Sequence, residues 1–552
     1  MRFHPIHLAP GFLLLSSTLA LATSSSAPQV QTSVESVNDH CSRLAKFDLP
    51  SASISSATAV AAGTFNGPPQ AFTGADMSAL YKMLPAFCRI VVQAKPSADS
   101  NIGIEVWMPV DGWNGKLEGI GNGGFAGIID DVGLGAAVAK GYAAVATDAG
   151  HTGSPADASW ALGHPEKVID FGHRGVHEMT RVARLLVQQF YGSGPKRSYF
   201  DGCSDGGREA LMEAQRYPDD YDGILAGAPA NYWTGLLSLA PFATQALTAT
   251  PASYLPPAKI PVIAQAVLAA CDKLDGVADG ILNDPRQCHF DPTSIQCKAG
   301  EDAEKCLSSD QVVALKTIYG GLRDSGGRSV FPGYLPGAED GKGGWGLWIT
   351  GPAPAKSAIA ILSIGYFSNM VYEERDWDYK SFTEESDLKA AKGKTSEALD
   401  AVNPDLSAFR AHGGKLILYH GWNDPAIPAV NTVNYYQDVI AKMGQANTDS
   451  FVRLYMVPGM QHCGGGPGPD AFGAFVGSLS SDPQRNVVIA LENWVEKGTA
   501  PATIIASKPP AGNPHGVPIM TRPLCPYPLA AKYKGTGDTN SAESFVCANP
   551  NE

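Results

Sequence analysis

Ser198-Tyr199-Phe200-Asp201-Gly202-Cys203-Ser204-Asp205-Gly206-Gly207 is the stretch on which the fold turns. An aromatic, strand-like start runs into Gly202-Cys203-Ser204-Asp205-Gly206, and residues 208–216 then carry a helical pattern. A serine framed by glycines between a strand and a helix suits a sharp turn that lifts its hydroxyl above the edge of a sheet. Five residues alone would equally make a plain glycine-rich turn, so the flanking strand and helix carry the reading.

Strand and helix patterns alternate on both sides. Residues 104–110 and 117–120 are strand-like around Asp111-Gly112-Trp113-Asn114-Gly115, and 142–147 is a further apolar β run. Across 168–191, Val176, Met179, Val182, Leu185, Leu186 and Phe190 recur at helical spacing and predict one long helix. Beyond the turn, 223–226, 415–419 and 452–457 continue as strands, with 430–443 and 486–497 as helices. Such alternation predicts an α/β fold with a mostly parallel sheet and helices on both faces. Between about 232 and 400 it fades into a Pro/Gly-rich, aromatic-containing stretch holding Cys271, Cys288, Cys297 and Cys306. A structureless loop of that length does not suit a compact domain. Residues 232–400 are therefore expected to form an inserted lid domain, with 28–231 and 401–552 making the catalytic domain.

The chain has 552 residues, 44% of them hydrophobic, and a net charge of -13. That balance gives no basic face for nucleic acid or an anionic membrane and favours a weakly charged substrate. Met1-Arg2-Phe3-His4-Pro5, an apolar run over 8–21 and small residues near Ala22 have the order of a signal peptide over 1–22, which predicts a secreted protein, extracellular or periplasmic. No other apolar run approaches the ~20 residues of a membrane span. Ten cysteines behind an export signal are expected to pair completely, which leaves no thiol for catalysis.

A serine hydroxyl becomes nucleophilic when an imidazole takes its proton and a carboxylate orients that imidazole. Asp424 follows the strand-like residues 415–419 and His462 follows 452–457, so both stand at the strand ends where ligands bind, in the order Ser204, Asp424, His462. His420 also stands at a strand end and competes for the base; His462 has the better loop and adjoins Cys463 as Ser204 adjoins Cys203. A bridge between those cysteines would hold nucleophile and base in register. The oxyanion donors expected are the amide of Asp205 and one from Gly123 or Gly124 in the turn Gly121-Asn122-Gly123-Gly124-Phe125. In the insertion, Asp272, Asp275 and Asp279 fall within eight residues among glycines, with main-chain oxygens such as those of Val277 and Ile281 nearby. A hard cation such as Ca²⁺ suits that set, and so does a solvated acidic turn.

The Cys203-Ser204 and His462-Cys463 pairs, Asp424 and the acidic loop together resemble the tannase and feruloyl esterase family over about 41–547. The resemblance implies an α/β-hydrolase core with a lid, the triad Ser204, Asp424 and His462, and a structural Ca²⁺ held by Asp272, Asp275, Asp279, Val277 and Ile281, with no organic cofactor. It also implies the bridge Cys203–Cys463; with that pair set, order and proximity along the chain lead to the expectation of Cys41–Cys88, Cys271–Cys288, Cys297–Cys306 and Cys525–Cys547 as the remaining pairs. Substrates of the family share an aromatic acyl group, as in gallate, hydroxycinnamate and mono(2-hydroxyethyl) terephthalate esters. Trp345, Trp348, Tyr366, Phe367 and Trp377 are candidate walls for such a ring, and Ile427 a candidate beside Asp424. The rival expectations are another ester hydrolase on the same scaffold and a non-catalytic secreted binding protein.

Overall fold

The computed structural model describes residues 40–71, 74–337, 339–474, 480–514 and 516–550. The expected signal peptide over 1–22 lies outside the described residues.

Nine strands form one sheet: β1 (Ala52–Val60), β2 (Phe87–Ala94), β3 (Ile102–Pro109), β4 (Lys116–Ile120), β5 (Ala143–Thr147), β6 (Arg197–Cys203), β7 (Gly223–Gly227), β8 (Lys415–Gly421) and β9 (Val452–Val457), in spatial order 1-2-3-5-4-6-7-8-9. Pairing is antiparallel from β1 to β5 and parallel from β5 to β9. Because side chains alternate across a strand, β8 buries Leu416 and Leu418 on one face and Ile417 and Tyr419 on the other. Helices Gly175–Tyr191, Asp205–Arg216 and Val430–Met443 cover the first face, and Asp131–Ala139 and Val487–Lys497 the second. This is the doubly covered α/β sheet that the alternation predicts.

The long helix expected over 168–191 is interrupted. Pro165–Ile169 passes through a π turn, Asp170–Arg174, before Gly175–Tyr191. β1 and β2 lie ahead of the first strand expected from the sequence; β1 is a Ser/Ala-rich edge strand with a mixed, half-exposed pattern and carries little apolar signal, whereas β2 is an apolar, mostly buried run, FCRIVVQA.

Among the described residues between β7 and β8, no strand joins the main sheet. Helices Trp233–Thr248, Ile260–Cys271, Ser309–Gly320, Ala358–Tyr366 and Lys389–Leu399 pack there around a separate apolar cluster that includes Leu239, Ile263, Leu315 and Phe367. That cluster extends to Phe125, Ala149 and Ile427 from loops at the sheet's carboxyl edge, so its floor is the same edge that carries Ser204. Five disulfides are present: Cys41–Cys88, Cys203–Cys463, Cys271–Cys288, Cys297–Cys306 and Cys525–Cys547.

Candidate active site

Sheet register brings the chemistry to one edge. Cys203 at the end of β6 aligns with Gly227, Gly227 aligns with Tyr419 of β8, and Gly421 aligns with Val457 of β9. Ser204, Asp424 and His462 each follow one of these ends. Ser204 has φ 68 and ψ -120, a conformation that costs a β-carbon of order 1–3 kcal/mol. The surroundings hold it there: its amide donates to Gly227 O at 3.0 Å and its carbonyl accepts from Ala230 and Arg208 amides, each at 3.1 Å. The turn closes because Gly202 and Gly206 lack side chains; a β-carbon would sit 2.4 Å from Gly206 O at the first and 2.8 Å from Asn122 O at the second.

Ser204 Oγ lies 2.9 Å from His462 Nε2, and His462 Nδ1 lies 2.7 Å from Asp424 Oδ2. The carboxylate accepts at Oδ2, so Nδ1 carries the hydrogen and Nε2 is left to accept from the serine hydroxyl. Asp424 is buried while Ser204 and His462 are half-buried, which gives a reachable hydroxyl above a dry acid. Burial by itself would raise the Asp424 carboxyl, but the neighbouring His462 and His420 rings bring it below the ordinary carboxylate range. The Cys203–Cys463 bridge, with Cα atoms 6.0 Å apart, joins the residue before the serine to the residue after the histidine.

Asp205 opens the helix Asp205–Arg216, and its amide donates to no acceptor among the described residues. Its carboxylate is turned inward, where Arg208 Nε donates to Oδ1 at 2.6 Å. The amides of Gly123 and Gly124 are likewise unengaged among the described residues, and the loop carrying them is pinned to the serine turn by Gly206 N donating to Asn122 O at 2.8 Å. Asn122 is braced from below: its amide and its Nδ2 donate to the two carboxylate oxygens of Glu209 at 2.8 and 2.9 Å. Burial, followed by the nearby Asp205 charge, pushes Glu209 up to about 8. Glu209→Leu, which keeps the volume and strands both Asn122 donors, is expected to lower kcat about tenfold with little change in KM. Steady-state kinetics at an unaltered kcat would show that the loop holds its place without this brace. Sequence reasoning missed Glu209, although a carboxylate on the inward face of a helix one turn past the serine was a usable signal.

The segment between β7 and β8 reaches the triad and the residues beside it at several points. The Trp348 ring stands edge-on to His462 with centroids 5.0 Å apart. Asn423, next to Asp424, donates from Nδ2 to Gly337 O, and Gln461, next to His462, donates from Nε2 to Asp340 O at 2.8 Å. Of the residues expected to wall an aromatic ring, only Trp348 has a ring contact with the triad. Trp345 is fully buried against Tyr319 and Tyr334, Tyr366 bonds Thr395 Oγ1 at 2.7 Å, and Phe367 stacks on Trp377 at 4.6 Å, all within the insertion's own core. Ile427 is buried with its amide on Asp424 Oδ1 at 2.9 Å, which makes it part of the acid's support.

The acidic loop packs against the C-terminal strands Met520–Leu524 and Ala530–Tyr533. Asp272 Oδ1 accepts from Gly280 N at 2.9 Å, Asp275 from Val277 and Asn283 amides at 3.0 and 3.2 Å, and Asp279 Oδ1 from Ile281 N at 3.1 Å. Arg522 pairs with Asp279, and Asn283 Nδ2 donates to Ala531 O at 2.9 Å. Burial raises Asp275 to about 6 and also raises Asp279, so these carboxylates are held where a second positive charge would relieve them. Hard oxygen donors of this kind fit Ca²⁺. Among the described residues no three His, Cys, Asp or Glu side chains are gathered closely enough to cage a metal alone, so main-chain oxygens such as those of Val277 and Ile281 would have to complete the shell.

The family profile described as tannase and feruloyl esterase matches residues 88–548. An uncharacterized esterase of Xanthomonas campestris pv. campestris is 40% identical over 531 residues, covering 92% of this chain and 91% of that protein. A probable feruloyl esterase B of Aspergillus clavatus is 35% identical over 465 residues, covering 83% of this chain and 86% of that protein. Among solved structures, feruloyl esterase B from Aspergillus oryzae superposes with a TM-score of 0.84 at 28% identity, over 93% of this chain and 100% of that one. With a profile match across most of its length and relatives at this level of identity, the chain belongs to the tannase and feruloyl esterase family and is a carboxylic ester hydrolase.

Proposed function

We propose that this protein is a secreted serine carboxylesterase that hydrolyses esters of aromatic acids of the hydroxycinnamic or gallic type. The observation that carries the reading is the hydrogen-bonded line from Ser204 Oγ through His462 to Asp424, beside three unengaged amides. Ser204 attacks the ester carbonyl as His462 Nε2 takes its proton, and Asp424 holds the Nδ1–H tautomer and steadies the imidazolium that forms. The carbonyl oxygen, now anionic, is received by the Asp205 amide and an amide of the Gly123-Gly124 turn. His462 returns the proton to the leaving alcohol, and water then releases the acid from the acyl-enzyme by the same two steps in reverse roles.

The aromatic acyl group is supported by the edge of Trp348 beside His462 and by relatives described as feruloyl esterases. Residues 232–400 act as the lid over Ser204 and His462, fastened to the acid and base loops through Asn423 and Gln461. Export is supported by the leader-like N-terminus and by the complete pairing of the ten cysteines. No helix among the described residues is long and apolar enough to cross a membrane.

Calcium in the loop 272–281, held by Asp272, Asp275 and Asp279 with Val277 and Ile281 carbonyls, serves stability, since the loop clamps the insertion to the C-terminal strands. Chelation, or Asp275→Asn, is expected to lower Tm while kcat measured well below Tm stays near the wild-type value. An unchanged Tm, with no metal found by elemental analysis, removes the ion from the account.

The substrate reading is tested by release of free acid from methyl ferulate and methyl gallate. Hydrolysis of either supports it and their ratio ranks the acyl groups. Cleavage confined to terephthalate monoesters or short aliphatic esters leaves the serine chemistry standing and overturns the substrate class.

A further inference from the structure

We infer that His420 is a positioning residue for the acid: buried beneath the triad, it supplies the fourth hydrogen bond that locks the Asp424 carboxylate, with Thr432 holding its ring in the tautomer able to do so. The inference rests on reading Ser204, His462 and Asp424 as a triad.

His420 is the penultimate residue of β8 and is 0% exposed. Its Nε2 lies 3.1 Å from Asp424 Oδ2 and 3.1 Å from Ile427 O. A carboxylate and a carbonyl can only accept, so Nε2 carries the hydrogen. Its Nδ1 lies 2.7 Å from Thr432 Oγ1, whose hydroxyl donates to the bare ring nitrogen. A carboxylate has about four acceptor positions, and at Asp424 all four are filled. Oδ1 accepts from Ala426 and Ile427 amides at 2.8 and 2.9 Å, and Oδ2 accepts from His462 Nδ1 and from His420.

Two consequences follow. With donors on both oxygens the carboxylate plane cannot turn, so the His462 ring keeps the azimuth that aims Nε2 at Ser204 Oγ. The two rings also share one oxygen, so the atom that His420 engages is the one that fixes the His462 ring. The titratable groups facing this pair are His462 from the base loop and Tyr334 from the insertion, whose hydroxyl stands 3.4 Å from Ala426 O and is shifted up by burial and by the Asp424 charge.

His420→Phe, His420→Gln and Thr432→Val are compared with wild type, counting active sites by fluorophosphonate labelling of Ser204. His420→Phe is expected to lower kcat per labelled site about tenfold with KM within about twofold. Glutamine can present an N–H at nearly the Nε2 position, so His420→Gln is expected to recover most of the loss. Thr432→Val gives a smaller change in the same direction. A His420→Phe protein that loses labelled sites or Tm, yet keeps kcat per site, overturns the inference and makes His420 a core filler. Should that variant not fold, an unaltered kcat per site in Thr432→Val overturns it equally. Ester hydrolysis surviving in a parallel Ser204→Ala protein would instead bring down the triad beneath it.

Discussion

Replacing Ser204 by alanine is expected to lower kcat for any ester substrate by about 10⁴-fold or more while leaving Tm nearly unchanged. The two halves of that expectation have separate causes. The hydroxyl has one side-chain partner among the described residues, His462 Nε2 at 2.9 Å, so its loss costs folding only one half-buried hydrogen bond. The strained backbone at φ 68 is the same for serine and alanine, because both carry a β-carbon. Turnover, by contrast, loses the atom that forms the acyl bond. What remains is whatever the Asp205, Gly123 and Gly124 amides and substrate positioning contribute to attack by water. Thermal melting and hydrolysis measured on one preparation check both halves. Substantial activity in a protein of unaltered Tm would end the serine mechanism.

Removing the Cys203–Cys463 bridge by a double serine substitution is expected to cost both stability and turnover. The bridge closes a loop of 260 residues, and the chain-entropy treatment assigns such a closure about 5 kcal/mol, at the upper end of what loss of native disulfides costs. Against the 5–15 kcal/mol typical of a folded domain, that is a large fraction. Turnover falls for a different reason. His462 sits on a loop beyond β9, and its neighbour Cys463, at the left-handed φ of 58, is tied by the bridge to the residue before Ser204. Without the bridge, the distance from Nε2 to Ser204 Oγ is set by softer contacts, and a displacement near 1 Å can cost about 10²-fold in rate. The double variant should show a lowered Tm and a kcat reduced even at temperatures where it is fully folded. Wild-type values of both would mean that Gln461, the Gly-rich loop and Trp348 hold the histidine unaided.

The parts of the site legible in the sequence are those governed by local patterns. Ser204 announces itself because glycines must stand at 202 and 206 for the turn to close. Asp424 and His462 are found because each follows an apolar β run, and parallel strands bring their carboxyl ends to one edge. The edge strand β1 escaped notice because Ala-, Ser- and Thr-rich residues facing solvent on one side have no apolar period to detect, and its pairing with β2 joins segments far apart in sequence. The aromatics between β7 and β8 show the opposite failure. Trp345, Trp348, Tyr366 and Phe367 look alike in the sequence, but only Trp348 meets the triad, since which side of a short helix faces inward depends on what packs against it.

By itself, then, the sequence determined the doubly covered α/β sheet, the glycine-framed turn at Ser204 and the placing of Ser204, Asp424 and His462 at strand ends, because hydrophobic period, glycine placement and strand ends are local properties. Only the tertiary structure decided that Glu209 braces the oxyanion loop, that His420 joins His462 on a single carboxylate oxygen, and that the acidic loop leans on Arg522 and Ala531 of the C-terminal strands. Those contacts join residues tens to hundreds of positions apart or on different elements. Their geometry is set by how layers pack, and no window along the chain contains it.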